Sequence, residues 1–412
     1  MKISKITSIC TSLLLGLASS FSSALAQSAP VPSSYTTEYA QLNQAVDTFI
    51  TSLDNRPQTN SNTAFATELE SAGAGQAYNL IQPTQMQNVL TQLLRFKQLG
   101  IQAVTIQARF PILVPAFYQW NGDPGDCKKF ISFYSQVVQQ CHAAGMKVIV
   151  EAGPMDQATG MNIPTYCQSL SATQYQNQMA VQCANLASLQ PDCISIVAEP
   201  DTDYSRSGQA VYQSPTALAA FVQVMTNAIK STSGSTAMIA AGASSWMTRA
   251  LTYDNLFCQV VGLNAIDIHT YFAGNNNLGA ATAIADSAHA AGKQVISSET
   301  WLNTVGSGAP PSMPLGGGQE PLETRPINSF SFWEPLDEEY MSAWATWCKV
   351  EHPAYMTFFD PFLLFAYVNY SQVGSQSYAQ IWTDETTAEQ QAIKAGTFSP
   401  VGLYFAKLIS SQ

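Results

Sequence analysis

Glu151, Glu199 and Glu299 each stand just past a short apolar run: Val148-Ile149-Val150, Ile194-Ser195-Ile196-Val197 and Val295-Ile296-Ser297. Arg109, Ser244 to Trp246, His269 and Tyr271, Trp301 and Asp360 hold the corresponding places after other runs. Packing alone does not select such a set, and loop polarity alone would favour Asn, Ser and Gly. If the runs are strands of one sheet, these side chains meet at its edge. Two carboxylates facing each other across a pocket are the least machinery that breaks a glycosidic bond. One holds a proton for the leaving oxygen while the other stays ionised. Glu199 and Glu299 are the candidate catalytic pair. Arg109, Glu151, Trp246, His269, Tyr271 and Trp301 are candidate substrate contacts.

Other chemistries find less support. No Cys-x-x-Cys occurs and the four histidines show no His-x-x-x-His spacing, so neither a metal nor a cofactor is expected. Gly242-Ala243-Ser244-Ser245-Trp246 lacks the final glycine of a nucleophile elbow. Gly73-Ala74-Gly75 is followed by Tyr78 where a dinucleotide fingerprint needs glycine.

The elements that must carry these residues alternate. Met86–Leu99 has helical apolar spacing, Gly100 stops it, and Ala103-Val104-Thr105-Ile106 is a strand. Phe130–Ala144 with Gly145 repeats the scheme before residue 148, as do Gln174–Leu189, Ala217–Lys230 and Ala281–Ala291 before later strands. His-Ala-Ala-Gly closes two of the helices, at His142 and again at His289, with glycine placed for a left-handed cap. The strands are continuously apolar, as in a parallel sheet covered on both faces. Seven strands are clear through Tyr355–Phe359, and Gln76–Ile81 would be the first. Ser399-Pro400 starts a closing helix. The expectation is a single (β/α)8 barrel over residues 71–412, its active site at the C-terminal strand ends. Residues 27–70 would form an extension that plugs or caps it. The Gly- and Pro-rich stretch Asn303–Phe332 after strand 7 would wall the cleft.

Ile196-Val197-Ala198-Glu199-Pro200 at strand 4 and Ile296-Ser297-Ser298-Glu299-Thr300-Trp301 at strand 7 resemble the paired motifs of the largest glycoside hydrolase clan. This is the 4/7 superfamily, which includes the family 5 cellulases and mannanases. Arg109 resembles its strand-2 arginine, and His269-Thr270-Tyr271 its His-x-Tyr at strand 6. The resemblance covers about residues 76–410 through these short motifs. It implies a retaining β-glycosidase with Glu199 as acid/base and Glu299 as nucleophile. On that implied arrangement Arg109 and the Tyr271 hydroxyl near Glu299 would keep it ionised, while Glu199, away from cations, would stay protonated. Two departures stand out. Ala198 replaces the asparagine that binds the sugar 2-hydroxyl, and Phe359-Asp360-Pro361 stands where a strand-8 tryptophan is expected. Trp301, Trp246, Trp333 or Trp120 would then offer the stacking platform. The loss of that asparagine keeps a second reading open, a barrel that binds glycan without cleaving it. A transglycosylase with the same carboxylate pair is a third.

The N-terminus reads as a cleaved leader over residues 1–26. Lys2 and Lys5 precede the short apolar stretch Leu13–Leu17, and Ala24-Leu25-Ala26 gives the cleavage pattern. A secreted or periplasmic location is expected, without membrane anchorage. The formal charge of −11 over 412 residues argues against nucleic acid and anionic membranes as partners. A carbohydrate substrate and a monomer are expected. Seven cysteines follow the leader. An oxidising compartment permits disulfides, with Cys127–Cys167 and Cys183–Cys193 as the candidate pairs.

Overall fold

The computed structural model describes residues 29–271, 277–302 and 329–411. The leader, and most of the loop expected to wall the cleft, lie outside the described residues. Eight parallel strands form the barrel: β1 (Ala64–Glu68), β2 (Ala103–Ile106), β3 (Lys147–Glu151), β4 (Cys193–Ser195), β5 (Met238–Ala241), β6 (Ala265–Asp267), β7 (Gln294–Trp301) and β8 (Tyr355–Phe358). Each pairs with the next, and β8 pairs with β1 to close the ring. After Ile268 and His269, Thr270–Tyr271 prolongs β6 and pairs with the end of β7.

The interior starts from one residue of each strand: Ala66, Ala103, Ile149, Cys193, Ala240, Ala265, Ile296 and Tyr355 form a single apolar cluster. Small residues on half the strands make room for Ile149, Ile296 and Tyr355, so the barrel is filled and not hollow. Successive side chains alternate across a strand. Every second residue above this layer therefore also points inward, and the polarity rises toward the C-terminal end. On β2 the inward series is Ala103, Thr105, Gln107 and Arg109. On β6 it is Ala265, Asp267, His269 and Tyr271. The outward series, such as Val104, Ile106, Val148 and Val150, joins the main core under the helices.

The first strand corrects the sequence reading. Gln76–Ile81 lies within 3-10 turns (Ala74–Ile81) broken at Ala77, which has φ 50°. The strand is Ala64–Glu68, inside the segment expected to precede the barrel. Its inward residues are Ala66 and Glu68 and its neighbours Thr63 and Thr67 are hydroxylic, so no apolar run announces it. The helix Thr36–Asp54 does not plug the barrel either. It buries Leu42, Val46, Phe49 and Leu53 on one stripe, with Phe49 against Trp344 (5.3 Å) and Tyr39 stacked on Trp333 (5.5 Å). Both tryptophans belong to or adjoin the outer helix Glu334–Glu351. Arg56, just beyond the N-terminal helix, pairs with Asp286 (2.6 Å) and Glu351 (3.0 Å).

The expected disulfides are not formed: all seven described cysteines are free thiols. Cys193 points into the barrel interior while Cys183 lies in the layer between helix and sheet, on the other side of the β4 backbone. Cys127 is buried near Tyr118, and Cys167 near Tyr175.

Candidate active site

The inward series of six strands converge at the C-terminal mouth. Arg109 Nη2 donates to Glu151 Oε2 (2.6 Å) and to Glu299 Oε1 (2.8 Å). Gln107, two residues earlier and so on the same face, donates to the same Glu299 oxygen (2.9 Å). The Tyr271 hydroxyl donates to Glu299 Oε2 (2.8 Å). Glu299 thus accepts three hydrogen bonds, two of them from the residues expected beside it.

Strict alternation would have pointed Glu299 outward with Val295 and Ser297. The register between β7 and β8 slips between Ser297 and Thr300, a bulge that re-aims the side chains it carries. Ser298 and Glu299 consequently both reach interior partners. Across the mouth, Glu199 leads directly into the helix Pro200–Ser207, with Pro200 at its first position and the Asp203 amide bonded to Glu199 O (2.8 Å). Proline there needs no amide partner and is preset for the helix, so the Glu-Pro pair fixes the carboxylate at the strand-to-helix corner.

Glu199 departs from expectation in one respect. The sequence suggests a carboxyl apart from cations, yet His269 Nδ1 lies 2.9 Å from Glu199 Oε1. His269 Nε2 meets Ser298 Oγ (2.8 Å), and Ser298 donates on to Asp267 Oδ2 (2.5 Å). Burial alone would lower the pKa of His269, but the charge of Glu299, the Glu199 hydrogen bond and Asp267 push it up to about 10. Burial would raise Glu199, but the His269 hydrogen bond and charge, then Arg206 and Arg109, pull it down to about 2. The two shifts run in opposite directions, and both hold the proton of this pair toward His269. Burial first, and the charge of Glu299 second, raise Glu151 well above the ordinary carboxyl range despite Arg109.

Glu151, His269 and Glu299 hold ligand-type atoms within 4.8 Å of one another. Arg109 already bridges the two carboxylates and both His269 nitrogens are hydrogen-bonded, while the buried Glu151 Oε1 has no hydrogen-bond partner. Three residues here escaped the sequence reading. Gln107 was legible by its spacing from Arg109. Glu68 ends the unrecognised β1, and burial raises its pKa well above the ordinary carboxyl range, with Glu299 the foremost neighbouring charge. Asp203 is pushed up to about 8 by burial and packs against Gly153, where a Cβ would stand 3.0 Å from its Oδ1.

Of the tryptophans, Trp246 is half-buried at the rim. Its Nε1 donates to Asp201 Oδ2 (2.9 Å) and its ring meets Tyr271 edge-on at 5.7 Å. Phe359, in the place of the strand-8 tryptophan, meets Tyr271 from another side at 5.8 Å. Trp301 is 1% exposed and Trp333 is fully buried, so neither presents an open face in this structure. Trp120 is exposed but packs near Tyr166 (5.1 Å), whose helix follows β3. Beneath the rim, Arg109, Ala198, Glu199 and Asp203 line a gap of about 10 Å³, room for a single water.

A closed parallel barrel with buried acids and one bridging arginine at its C-terminal mouth is the class of protein that this fold and site define. No family model matches the chain and no curated protein is similar to it. Among solved structures it is similar to an exo-β-1,4-mannosidase from Opitutaceae bacterium strain TAV5, with a TM-score of 0.53, 12% identity and 87% of this chain covered. The chain spans 62% of that mannosidase's length. It is likewise similar to the family 1 β-glucosidase from Thermotoga maritima (TM-score 0.50, 8% identity), covering 86% of this chain and 98% of the other. At such identities the likeness is one of fold: the chain is a (β/α)8 barrel of the kind found in these glycoside hydrolases. Among the described residues no helix is long and apolar enough to cross a membrane.

Proposed function

We propose that this protein is an exported, monomeric, retaining glycoside hydrolase acting on β-linked polysaccharide or oligosaccharide, with Glu299 as nucleophile and Glu199 as acid/base. One observation carries the reading. Carboxylates from β7 and from the end of β4 both approach His269 Nδ1, at 3.6 Å for Glu299 and 2.9 Å for Glu199. Two carboxylates that share one ring nitrogen are close together. Double displacement uses carboxyl groups about 5–5.5 Å apart, whereas inverting pairs stand about 6.5–9.5 Å apart to admit a water. The gap below the rim is too small for a sugar ring. The ring must therefore lie above it, against Tyr271 and Trp246, with its anomeric carbon over Glu299.

The proton needed by the leaving oxygen resides on His269 in the resting site. Attack of Glu299 on the anomeric carbon consumes its negative charge, the foremost charge holding that proton on the ring. The proton then passes from Nδ1 to Glu199 and on to the glycosidic oxygen as the C–O bond breaks. In the second step a water attacks the same carbon, Glu199 takes its proton and returns one to His269, and Glu299 leaves as a carboxylate.

Reducing-sugar release from β-glucans, mannans, galactans and xylans tests the activity, and azide tests the roles. Glu299→Gln should lose nearly all turnover. Glu199→Ala should spare an activated aryl glycoside, whose leaving group needs no proton, and azide should then yield a glycosyl azide of retained configuration. A fall of less than roughly a hundredfold in both variants, the low end of acid–base catalysis, would dismiss the assignment. A glycan bound but left uncleaved by the unaltered protein would make it a binding barrel instead.

A further inference from the structure

The outer ring is complete over β1 and β8 without the helix Tyr378–Ala395. That position belongs to Pro400–Ser410, whose Phe405 packs edge-on against Phe65 (6.2 Å) and Phe358 (5.1 Å). Tyr378–Ala395 lies instead beside the helix Gln85–Gln98. At one end Arg95 donates from Nε to Ile393 O (2.6 Å) and from Nη2 to Lys394 O (3.1 Å). Toward the other end, Trp382 meets Phe362 edge-on at 6.0 Å. Between these ties the helices enclose a cavity of about 470 Å³, well inside the ~300–1,000 Å³ of small-ligand sites.

Helices that simply pack interdigitate apolar ridges. Here the facing stripes carry Asn88 and Thr91 on one side and Thr386, Glu389 and Gln390 on the other, with Ile393 the one aliphatic residue lining the cavity. The floor is built in advance. Gln92 Oε1 accepts from the Ser71 amide (3.1 Å) and hydroxyl (2.6 Å), and Gln85 Nε2 donates to Ser71 O (2.6 Å). Glu389 is 3% exposed yet lines this space. Burial, then the charges of Glu70, Asp360 and Glu385, push its carboxyl up to about 9. Glu70 is pushed up to about 7 by burial and by Asp360.

Hydroxyls and carboxamides thus predominate in the lining, where the acids Glu70 and Glu389 stand with the single cation Lys394. An anion would face this carboxyl cluster, and an apolar ligand would strand the amides. A neutral polyol satisfies both senses of hydrogen bond. Trp382, 48% exposed, precedes Thr386 and Gln390 by one and two helical turns and so shares their face of the helix. Glu70 follows Glu68 by two residues, so the cavity adjoins the barrel mouth.

We propose that this flank cavity is a second glycan-binding site, holding a short stretch of neutral oligosaccharide with Trp382 as its stacking surface. The choice of glycan rests on the hydrolase reading; the existence of the site does not.

The test titrates Glu299→Gln protein, which should bind without turnover, with cello-, manno- and xylohexaose by calorimetry. Trp382→Ala and the cavity-filling Thr386→Trp are then each added. Thermal midpoints within a degree or so confirm that the variants fold. We expect binding at one of two sites to weaken by about tenfold or more, near 1.4 kcal/mol. In the otherwise unaltered enzyme the same two substitutions should slow polysaccharide hydrolysis and leave a small aryl glycoside untouched. Hexaose binding that neither substitution weakens overturns the proposal. If flank substitutions abolish binding while the unaltered protein cleaves no glycan, the site stands and the hydrolase reading falls. If aryl glycoside is cleaved and the flank substitutions change nothing, the hydrolase reading stands and the site falls.

Discussion

His269 decides the protonation of the site. Its ring is held between Glu199 at 2.9 Å and the Ser298–Asp267 relay at 2.8 Å, so the proton required for catalysis belongs to the His269–Glu199 pair. This has a measurable consequence. In the unaltered enzyme the pair keeps its proton until pH approaches the His269 value of about 10. His269→Asn removes the charge that depresses Glu199, whose pKa then rises from about 2 toward that of a buried carboxyl. Glu199 becomes the sole carrier of the proton and loses it at lower pH. The alkaline limb of kcat/KM, which reports the free enzyme, should move to lower pH by more than a unit. An unmoved limb would show that His269 only positions Glu199. At this scale much of the site was legible, because Arg109, Glu151, Glu199, His269 and Tyr271 all follow apolar runs at even spacing. The His269–Glu199 pair was not, since which carboxylate a histidine faces depends on how strands separated by seventy residues are stacked. Nor was Glu68, because its strand lacks the apolar signal that marks the others.

Two features of the elements make those contacts possible. The β7 bulge turns Glu299 inward, and no sequence periodicity foretells it: alternation read from Val295 gives the wrong face. Just past β5, Gly242 holds a place where a Cβ would lie 1.8 Å from Asp267 O. Close approach of β5 to β6 at this level allows Asp267 to receive Ser195 Oγ at 2.5 Å and the Ser298 amide at 2.9 Å. Gly242→Ala should therefore separate the two strands, cost about 2–4 kcal/mol of stability and lower kcat by loosening Asp267 under His269. Urea unfolding and steady-state kinetics on the same protein check both parts, and a fully active, equally stable variant would refute the packing argument. The N-terminal helix gives the opposite case. Phe49→Ala opens a hole against Trp344 on the outer ring, far in the packing order from the strand ends. About 3 kcal/mol should be lost with kcat unchanged, and a parallel fall in kcat would mean that the helix supports the mouth.

At the scale of the whole molecule, the unusual quantity is the number of carboxyls taken out of water without cations. Lys and Arg total 17 against 28 Asp and Glu, and several acids lie where burial dominates. Burial pushes Glu38 and Glu334 up to about 7. Asp360 is raised to about 7 and Glu385 to about 8, and both neighbour Glu389 at about 9. For each of these the folded form binds its proton more tightly than the unfolded chain. Between the unfolded value near 4–4.5 and the folded value near 7–9, folded protein holds more protons, so stability falls as pH rises. His269, raised to about 10, acts in the same direction from about pH 6.5 upward. Glu199, depressed to about 2, and Asp192, also depressed, act oppositely: their stabilisation is complete above about 4.5 and is lost on acidification. Stability should accordingly peak between about pH 4 and 6 and decline steadily toward pH 9, while many proteins peak between about 5 and 8. Urea midpoints at half-unit pH intervals will show the decline, and Glu389→Gln should flatten part of it. That variant keeps the shape and an amide's hydrogen bonds but has no proton to lose, so its advantage over the unaltered protein should grow from pH 6 to pH 9. A midpoint that holds level or climbs over that interval, or a Glu389→Gln variant with the same slope, would mean that the cluster near Glu70 and Asp360 is solvated after all.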